Sequence, residues 1–348
     1  IQGLMLFAAG TVFLIWIFVR RFGRFASVGY LFFMIFPLYM VIQGLQNKGI
    51  LKGFLYQPSV VFRGDYMHAG IQMTTDHPYY GVGLDAYGDW YRSSRGIIST
   101  LRTGPDRIAN TAHNIYLDIS SNGGLPLFFA FVILQILVLI SIFHVLRRNS
   151  YPDPLFVTLC AVWIGYQVQA LISINQIGIG VLGWIFSGCI LGYPFLGNKS
   201  SISGDLDSQL KQPKNRKSKS KSQPQMLLAS ESLVLSFGIF LGFLLAFAPL
   251  RADMEFRHAQ DSGQIAKMKE ATSILGSTAF HRELVLDFAL RNNLQDELKP
   301  IATALVSDYP RDFFGWRVLS VLTQNSEAER MNALNRAREL DPFNPQLR

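Results

Sequence analysis

The 348-residue chain contains little charge and almost no cysteine. Charged residues make up 16% of it and hydrophobic residues 49%, whereas roughly a quarter of a soluble domain is charged. This composition excludes an ordinary soluble protein and indicates an integral membrane protein. The two cysteines, Cys160 and Cys189, lie in apolar stretches, which favours packing roles over a disulfide framework or a thiolate metal site.

Six apolar segments have about the length needed to cross a hydrocarbon core of roughly 30 Å. The chain opens directly inside the first of them, without a Met or a basic leader, which predicts that it is the C-terminal portion of a longer protein. We therefore expect an all-α fold, a polytopic membrane helix bundle. The predicted spans are 1–19, 25–45, 125–146, 155–172, 177–196 and 227–250.

The net charge of +8 would suggest nucleic acid in a soluble protein, but here Lys and Arg cluster at the ends of apolar segments. Lipid head groups and membrane topology explain such clusters better, so no nucleic-acid partner is expected. The clusters at 20–24, at 147–148 and after residue 197 are separated by even numbers of spans. The positive-inside rule then predicts that the loop 46–124 and everything after Arg251 are extracytoplasmic.

This pattern divides the chain into four parts: a membrane domain at 1–197, a basic, disordered cytoplasmic linker at 198–226, an additional span at 227–250 and a small soluble helical domain at 251–348. The end of the last part, from YPRDFFGWRVLS to DPFNPQL, resembles a tetratricopeptide helix pair, in which Ala333 and Ala337 let two helices approach. A plain helical bundle fits as well. A tetratricopeptide-like tail outside the membrane predicts a docking platform for a protein partner.

His113 is the first candidate for chemistry in the polar loop 46–124. It lies in AHNIYLDISSNGGL, just before a helical run that leads into the third span. One interpretation is a histidine that caps this helix or bonds to backbone. The other is a group that binds phosphate when protonated or takes a proton from an attacking hydroxyl when neutral, with Asn114 and Asp118 orienting it.

Arg63 opens a segment in which Arg63, Tyr66 and Gly70 have helical spacing, and four more arginines follow in the same loop. The planar guanidinium fork suits bidentate contacts with phosphate, so these residues are candidate phosphate ligands. A solvated or headgroup-facing surface is the alternative interpretation. The four further arginines are Arg92, Arg95, Arg102 and Arg107.

Two other patterns carry weaker signals. The turn HPYYGVGLDAYG is rich in glycine and aromatic rings, and interface anchoring with one or two sugar contacts accounts for it better than a phosphate loop. Imidazole and carboxylate groups at His68, His77, Asp65 and Asp76 suit a divalent metal, but their spacing fits no standard motif. We expect no metal site.

Several motifs, taken in order, resemble the O-antigen ligase and polysaccharide polymerase family of bacterial membrane glycosyltransferases, including its protein O-oligosaccharyltransferase branch. They are VFRGDYMHAGIQM, PYYGVGLDAYG, AHNIYLDISSNGGLPLFF and SINQIGIGVLGWIFSGCILG. The resemblance implies part of a GT-C-like membrane fold, located in the bacterial inner membrane, with the active site on an extracytoplasmic loop. The residues Ser121 and Asn122 stand where the family often has an acidic residue.

The same resemblance implies transfer of a glycan from undecaprenyl diphosphate to a glycan, lipid or protein acceptor, with no metal or other cofactor. Arg63 matches the family's loop arginine and His113 its loop histidine, so both are the expected catalytic residues. The expected substrate-binding residues are Arg92, Arg95, Arg102, Arg107, Asn114 and Tyr116. Two alternatives remain: a transporter or flippase for the same lipid, and a membrane-anchored scaffold that acts through its helical tail.

Overall fold

The computed structural model describes residues 2–46, 48–149, 151–209 and 229–347. Within these ranges every regular element is a helix, which confirms the all-α prediction. The chain forms two compact units, one mainly of Ile1–Gln212 and the other mainly of Pro213–Pro342.

Besides a short 3-10 helix at Arg20–Phe22, the first unit contains ten α-helices in its described residues. They are α1 Gln2–Val19, α2 Arg24–Phe33, α3 Ile35–Leu45, α4 Lys52–Leu55, α5 Pro58–Asp76, α6 Tyr87–Ser94, α7 Ile97–Thr103, α8 Ile115–Arg148, α9 Pro154–Ala170 and α10 Ile177–Gln209.

Five stretches of the described chain are long and apolar enough to cross a membrane, which confirms a polytopic helical membrane protein. The predicted fourth span corresponds to α9, an apolar helix of 17 residues that is shorter than the others. The five longer stretches are Met5–Phe22, Arg24–Gly44, Ile115–Arg148, Ile177–Phe195 and Ser232–Asp261.

Small residues let the apolar helices approach closely. A Cβ added at Gly10 of α1 would lie 3.3 Å from the carbonyl oxygen of Ala161 in α9, so the two backbones meet there. Such small-residue contacts are the usual basis of helix packing in lipid. Cys160 is fully buried in the core of this bundle, as expected for a packing residue, whereas Cys189 is exposed.

Helix α8 is interrupted at Gly124, where φ is 76° and ψ is 177°. The prediction that the third span begins at Leu125 coincides with this break. Residues 115–123 form a separate first part of the helix that belongs to the polar loop, and Pro126 follows where the second part begins. A glycine is suited to the break because an L side chain is strained at positive φ.

Helix α10 continues to Gln209, beyond the predicted end of the fifth span at 196 and into the segment that composition predicts as disordered. Extending an existing helix avoids the cost of nucleation, so polar residues can follow an apolar span in helical form. The remainder of the predicted linker, from 210 onward, lies outside the described residues.

The second unit is built on α11, which is apolar over most of its length and then presents Ala252, Phe256 and Ala259 to a soluble core. Ala333 and Ala337 are buried in α16, which packs against α15, as their small size predicts. The likeness to tetratricopeptide repeats stays a prediction. The helices are α11 Ala229–Asp261, α12 Ile265–Ala271, α13 Ala279–Arg291, α14 Gln295–Asp308, α15 Phe313–Val321 and α16 Glu327–Leu340.

Candidate functional site

The polar loop folds into a small helical layer in which α5, α6, α7 and the first part of α8 surround a core of their own. Tyr87 and Tyr91 of α6 are fully buried against Ala69 and Met73 of α5, and Ala112 joins them from the segment before α8. This core fixes α5 relative to residues 109–117. Four of the eight candidate site residues, Arg63, His113, Asn114 and Tyr116, lie on these two segments.

The glycine-rich turn docks onto the break in α8. The backbone N–H groups of Val82 and Gly83 donate to the carbonyls of Ser121 and Asn122 at 2.7 and 3.1 Å. These carbonyls end the first part of the helix and would otherwise lack partners. A Cβ at Gly81 would lie 2.4 Å from the carbonyl carbon of Asn122, which explains why the turn needs glycine there. The turn therefore has a structural role as a helix cap.

The backbone around His113 is held by its neighbours. Asn114 is the N-cap of α8, its side-chain oxygen accepting from the N–H of Leu117 at 3.1 Å, so His113 itself does not cap the helix. His113 has a φ of 56°, and the N–H of the preceding Ala112 donates to the carboxylate of Asp118 at 2.6 Å. Asn114 and Asp118 thus position the main chain that carries His113.

The structure brings His113 and Arg63 together. Tyr66 of α5 stacks on the His113 ring with centroids 5.2 Å apart. Arg63 and Gly70 share the Tyr66 face of α5 at helical spacing, and a Cβ at Gly70 would lie 3.1 Å from that of Ala112. This face of the helix therefore faces the segment before α8. Tyr66 was not singled out as a site residue from the sequence, although its spacing from Arg63 was visible there.

Burial lowers the pKa of His113 below its ordinary value of 6.5, and the positive charge of Arg63 lowers it further. Both effects disfavour the protonated ring. The neutral ring of His113 is therefore favoured at pH 7, and this form can accept a proton from a hydroxyl group.

Two of the predicted phosphate ligands, Arg92 and Arg95, donate hydrogen bonds within the loop. Arg95 is 1% exposed, and its guanidinium donates to the carbonyls of Pro105 and Arg107 at 2.9 Å each. Arg92 donates to the carbonyl of Pro105 at 2.7 Å. These bonds hold the turn that carries Arg107, and a role of Arg92 and Arg95 in substrate binding stays a prediction.

The other two arginines lie beside the residues that flank Arg63. Arg102 donates from one nitrogen to both carboxylate oxygens of Asp65 at 2.9 Å. Arg107 is exposed, and its guanidinium lies 5.2 Å from the ring centroid of Phe62. The first half of α5 is therefore the place where cationic groups from three segments of the loop converge.

Asn114 and Tyr116 connect the start of α8 to α9. The side-chain N–H of Asn114 donates to the carbonyl of Leu171 at 3.1 Å, and the Tyr116 hydroxyl bonds to Gln167 at 2.7 Å. Gln167 in turn donates to Gln135 at 2.8 Å, which makes a polar chain between α8 and α9. These contacts anchor the site to the membrane helices.

The groups considered for a metal are dispersed. His77 packs edge-on against Trp90 with centroids 4.5 Å apart, and Asp76 accepts from Gln72. Asp65 pairs with Arg102, and His68 is exposed. In the part of the chain that the structure describes, no group of three or more His, Cys, Asp or Glu side chains is arranged to hold a metal ion.

Helices of membrane-spanning length, joined by a folded polar loop in which a histidine and several arginines lie near one helix, define a polytopic helical membrane protein. Residues 2–132 match the O-antigen ligase family (Wzy_C), which confirms the resemblance and supports glycosyl transfer in general. Arg63 and His113 lie within the matched segment. Comparison with curated proteins gave no match, and comparison with solved structures gave none either.

Proposed function

We propose that the protein transfers a glycan from undecaprenyl diphosphate to an acceptor hydroxyl, with Arg63 binding the diphosphate and His113 acting as general base. One observation carries the proposal: Tyr66 of α5 stacks on the His113 ring, and Arg63 lies on the same face of α5 as Tyr66. A cationic group and a proton acceptor then border the same space. Such a pair suits a reaction in which a hydroxyl loses a proton while a phosphate leaves.

The proposed step is a single displacement at the anomeric carbon. The acceptor oxygen forms the new bond to this carbon, the bond to the diphosphate oxygen breaks, and the leaving diphosphate takes the electron pair. A ring nitrogen of His113 receives the hydroxyl proton. Attack opposite the diphosphate inverts the anomeric configuration.

Negative charge grows on the diphosphate as its bond breaks, so fixed guanidinium groups stabilise the transition state more than the ground state. Arg63 is the proposed primary contact, and the exposed Arg107 and partly exposed Arg102 are proposed to extend it. With this charge supplied by arginine, we propose a reaction that requires no metal. Arg92 and Arg95 act indirectly, by holding the turn before Arg107.

The test is transfer of a lipid-linked oligosaccharide in membranes from cells that express the wild type, Arg63→Ala or His113→Ala at matched levels. Both variants are expected to lose product while the donor accumulates. His68→Ala is the matched control, because His68 is an exposed histidine on the same helix as Arg63. Normal transfer by Arg63→Ala and His113→Ala would contradict the proposal. If the wild type forms no transfer product and only moves the lipid-linked donor to the other side of the membrane, the protein is a transporter.

We also propose that the protein works in the inner membrane of a bacterium, with the loop 46–124 and the tail 251–348 extracytoplasmic. The distribution of Lys and Arg supports this orientation. The acceptor is a hydroxyl of a glycan, lipid or protein, and the helical tail is proposed to dock a protein partner. The docking role is tested by comparing the proteins that co-purify with the wild type and with a variant in which the surface charges of α16 are reversed.

A further inference from the structure

The turn between α12 and α13, residues 272–278, lies directly against α11. A Cβ added at Gly276, where φ is 99°, would lie 2.5 Å from both carbonyl atoms of Ala248 and 2.7 Å from the nitrogen of Pro249. No side chain fits between the two backbones at this point. The turn therefore lies in direct contact with α11 at Ala248 and Pro249.

This contact lies inside the membrane-spanning part of α11. The candidate span begins at Ser232, and its residues are apolar or small until Arg251. With a rise of about 1.5 Å per residue, Ala248 lies roughly 4–5 Å deeper along the helix than Arg251. The turn consequently reaches past the level of the first charged residue and borders the apolar end of the span.

The side chains around this contact are large, apolar and exposed. Leu275 in the turn is 83% exposed, and Phe280 in the first turn of α13 is 62% exposed. On α11, the neighbouring Leu250 is 58% exposed and Phe247 is 48% exposed. The turn and the end of α11 thus both expose large apolar side chains beside the backbone contact at Gly276. Contiguous exposed apolar surface marks an interaction site.

We propose that residues 272–280 form a membrane anchor, in which Leu275 and Phe280 insert into the acyl chains of the bilayer that α11 crosses. We infer that lipid covers this surface, because the surface is formed by the end of a membrane span and by a turn that lies at the same depth. The anchor is independent of the loop chemistry. It gives the C-terminal unit a second contact with the membrane beside α11.

The anchor has a structural consequence for the tail. Ala252, Phe256 and Ala259 of α11 are buried in the core of the soluble helices, so the end of the span and the tail form one packed unit. A single helix would leave that unit free to tilt on the membrane. Two contacts restrict it to one orientation, which suits a surface that receives partners from a fixed direction.

The experiment places an environment-sensitive fluorophore at single cysteines in the full chain, reconstituted in vesicles of phosphatidylcholine and phosphatidylglycerol, with Cys160 and Cys189 replaced by alanine. The probe positions are Leu275→Cys and Phe280→Cys. The matched controls are Val321→Cys and Met331→Cys, which are 65% and 50% exposed and far along the chain from the turn. Quenchers attached to lipid acyl chains and quenchers dissolved in water report the depth of each probe.

We expect the probes at 275 and 280 to show blue-shifted emission and severalfold stronger quenching by the acyl-chain quencher than the control probes. Water-like emission at 275, equal to that at 321, would overturn the anchor whatever the probe at 280 shows. Equal acyl-chain quenching at all four positions would also overturn it, because the tail would then bind lipid without a defined surface. A water-exposed probe at 280 beside a lipid-exposed one at 275 would overturn the role of Phe280.

Discussion

His113 depends on its surroundings for the protonation state that the proposed reaction needs. Its pKa lies below the ordinary 6.5, first because the ring is partly buried and second because Arg63 is near. Since the neutral ring accepts the proton, transfer should stay at full rate near pH 7 and fall only as the pH drops through the lowered pKa. The pH dependence of single-turnover transfer measures this acid limb, whose midpoint is expected below pH 6.5.

Substitutions at Arg63 separate the effect of its charge on the pKa of His113 from its proposed binding of phosphate. Arg63→Gln removes the charge, so the acid limb of the residual activity should move up toward pH 6.5 without reaching it, because burial remains. Arg63→Lys keeps the charge and should keep the wild-type midpoint, although it loses the fork that binds phosphate. An acid limb that is the same in wild type and Arg63→Gln would show that Arg63 does not act on His113.

We expect the loss of Arg95 to lower thermal stability and the loss of Arg107 to weaken binding of the donor. Arg95→Leu removes the bonds that its guanidinium donates to the carbonyls of Pro105 and Arg107, each worth about 1.5–3 kcal/mol because the donor is charged, although Arg92 still donates to Pro105. A lower unfolding temperature is therefore expected. Arg107 is exposed, so Arg107→Ala should keep the wild-type unfolding temperature and raise KM for the lipid-linked donor. Wild-type thermal stability in Arg95→Leu would contradict the supporting role.

The sequence identifies residue types at this scale but not their environments. Arg63 and His113 are both predictable from their motifs, and their 50-residue separation gives no sign that Tyr66 stacks on the imidazole. Arg95 and Arg107 look alike in the sequence because each is an arginine in a polar loop. Only the folded turn distinguishes them, since it buries Arg95 against backbone carbonyls and leaves Arg107 exposed.

The junction between the glycine-rich turn and the break in α8 is the element most sensitive to a small change. Gly81→Ala would place a Cβ only 2.4 Å from the carbonyl carbon of Asn122, at a positive φ of 65°. The turn would have to move, and the bonds from Val82 and Gly83 to the end of the helix would weaken. We expect a drop in unfolding temperature together with reduced transfer, because the same helix begins at the segment that carries His113.

Gly64→Ala is the matched control for Gly81→Ala. Gly64 lies in the middle of α5, and a Cβ there has nothing within 4 Å. Alanine in an exposed helix interior is more stable than glycine by about 1 kcal/mol, so this variant should be neutral or slightly stabilised. Similar losses in both variants would indicate that the docking of the turn is not what Gly81 provides.

The capping box of α16 gives the tail a pH dependence. Glu329 accepts from the backbone N–H of Ser326 and pairs with Lys299, and these contacts lower its pKa from 4.5 to about 2. The folded state thus holds the charged carboxylate more tightly than the unfolded state does. Its contribution to stability is complete above pH 4.5 and is lost as the pH falls toward 2.

Glu329→Gln should therefore flatten the loss of stability between pH 5 and pH 2, which hydrogen exchange of the amides in α16 can measure. Glu327→Gln is the control, because Glu327 is in the same first turn but outside the capping box. An equal flattening in both variants would mean that general charge in the first turn, rather than the contacts of Glu329, causes the effect.

Helix positions are predictable from hydrophobic length, whereas the details of their ends are not. The predicted start of the third span at Leu125 coincides with the break at Gly124, yet the pattern does not indicate that residues 115–123 precede it in the same helix. The extension of α10 to Gln209 likewise opposes its local composition. Both features depend on a neighbouring helix that is already formed. The local amino-acid composition of a segment does not include this effect.

For the whole molecule, the number of crossings decides which side of the membrane each polar segment faces. Arg147 and Arg148 end α8, and the basic residues after 197 follow the apolar part of α10, so α9 and α10 must both cross if the two clusters share one side. Helix α9 has 17 residues, or about 26 Å at 1.5 Å per residue, which is slightly short of a core of roughly 30 Å. Its close packing against α1 and local thinning of the bilayer make a crossing feasible.

We therefore predict opposite accessibility for the two ends of α9. In a background with Cys160 and Cys189 replaced, a membrane-impermeant maleimide should label Gln176→Cys from outside intact cells and label Tyr151→Cys only after permeabilisation. Asp106→Cys, exposed in the polar loop, is the outside control. Labelling of positions 151 and 176 from the same side would mean that α9 does not cross, and the charge clusters before and after it would then lie on opposite sides. That result would also contradict the proposed extracytoplasmic location of the tail, because this location is inferred from the same number of membrane crossings.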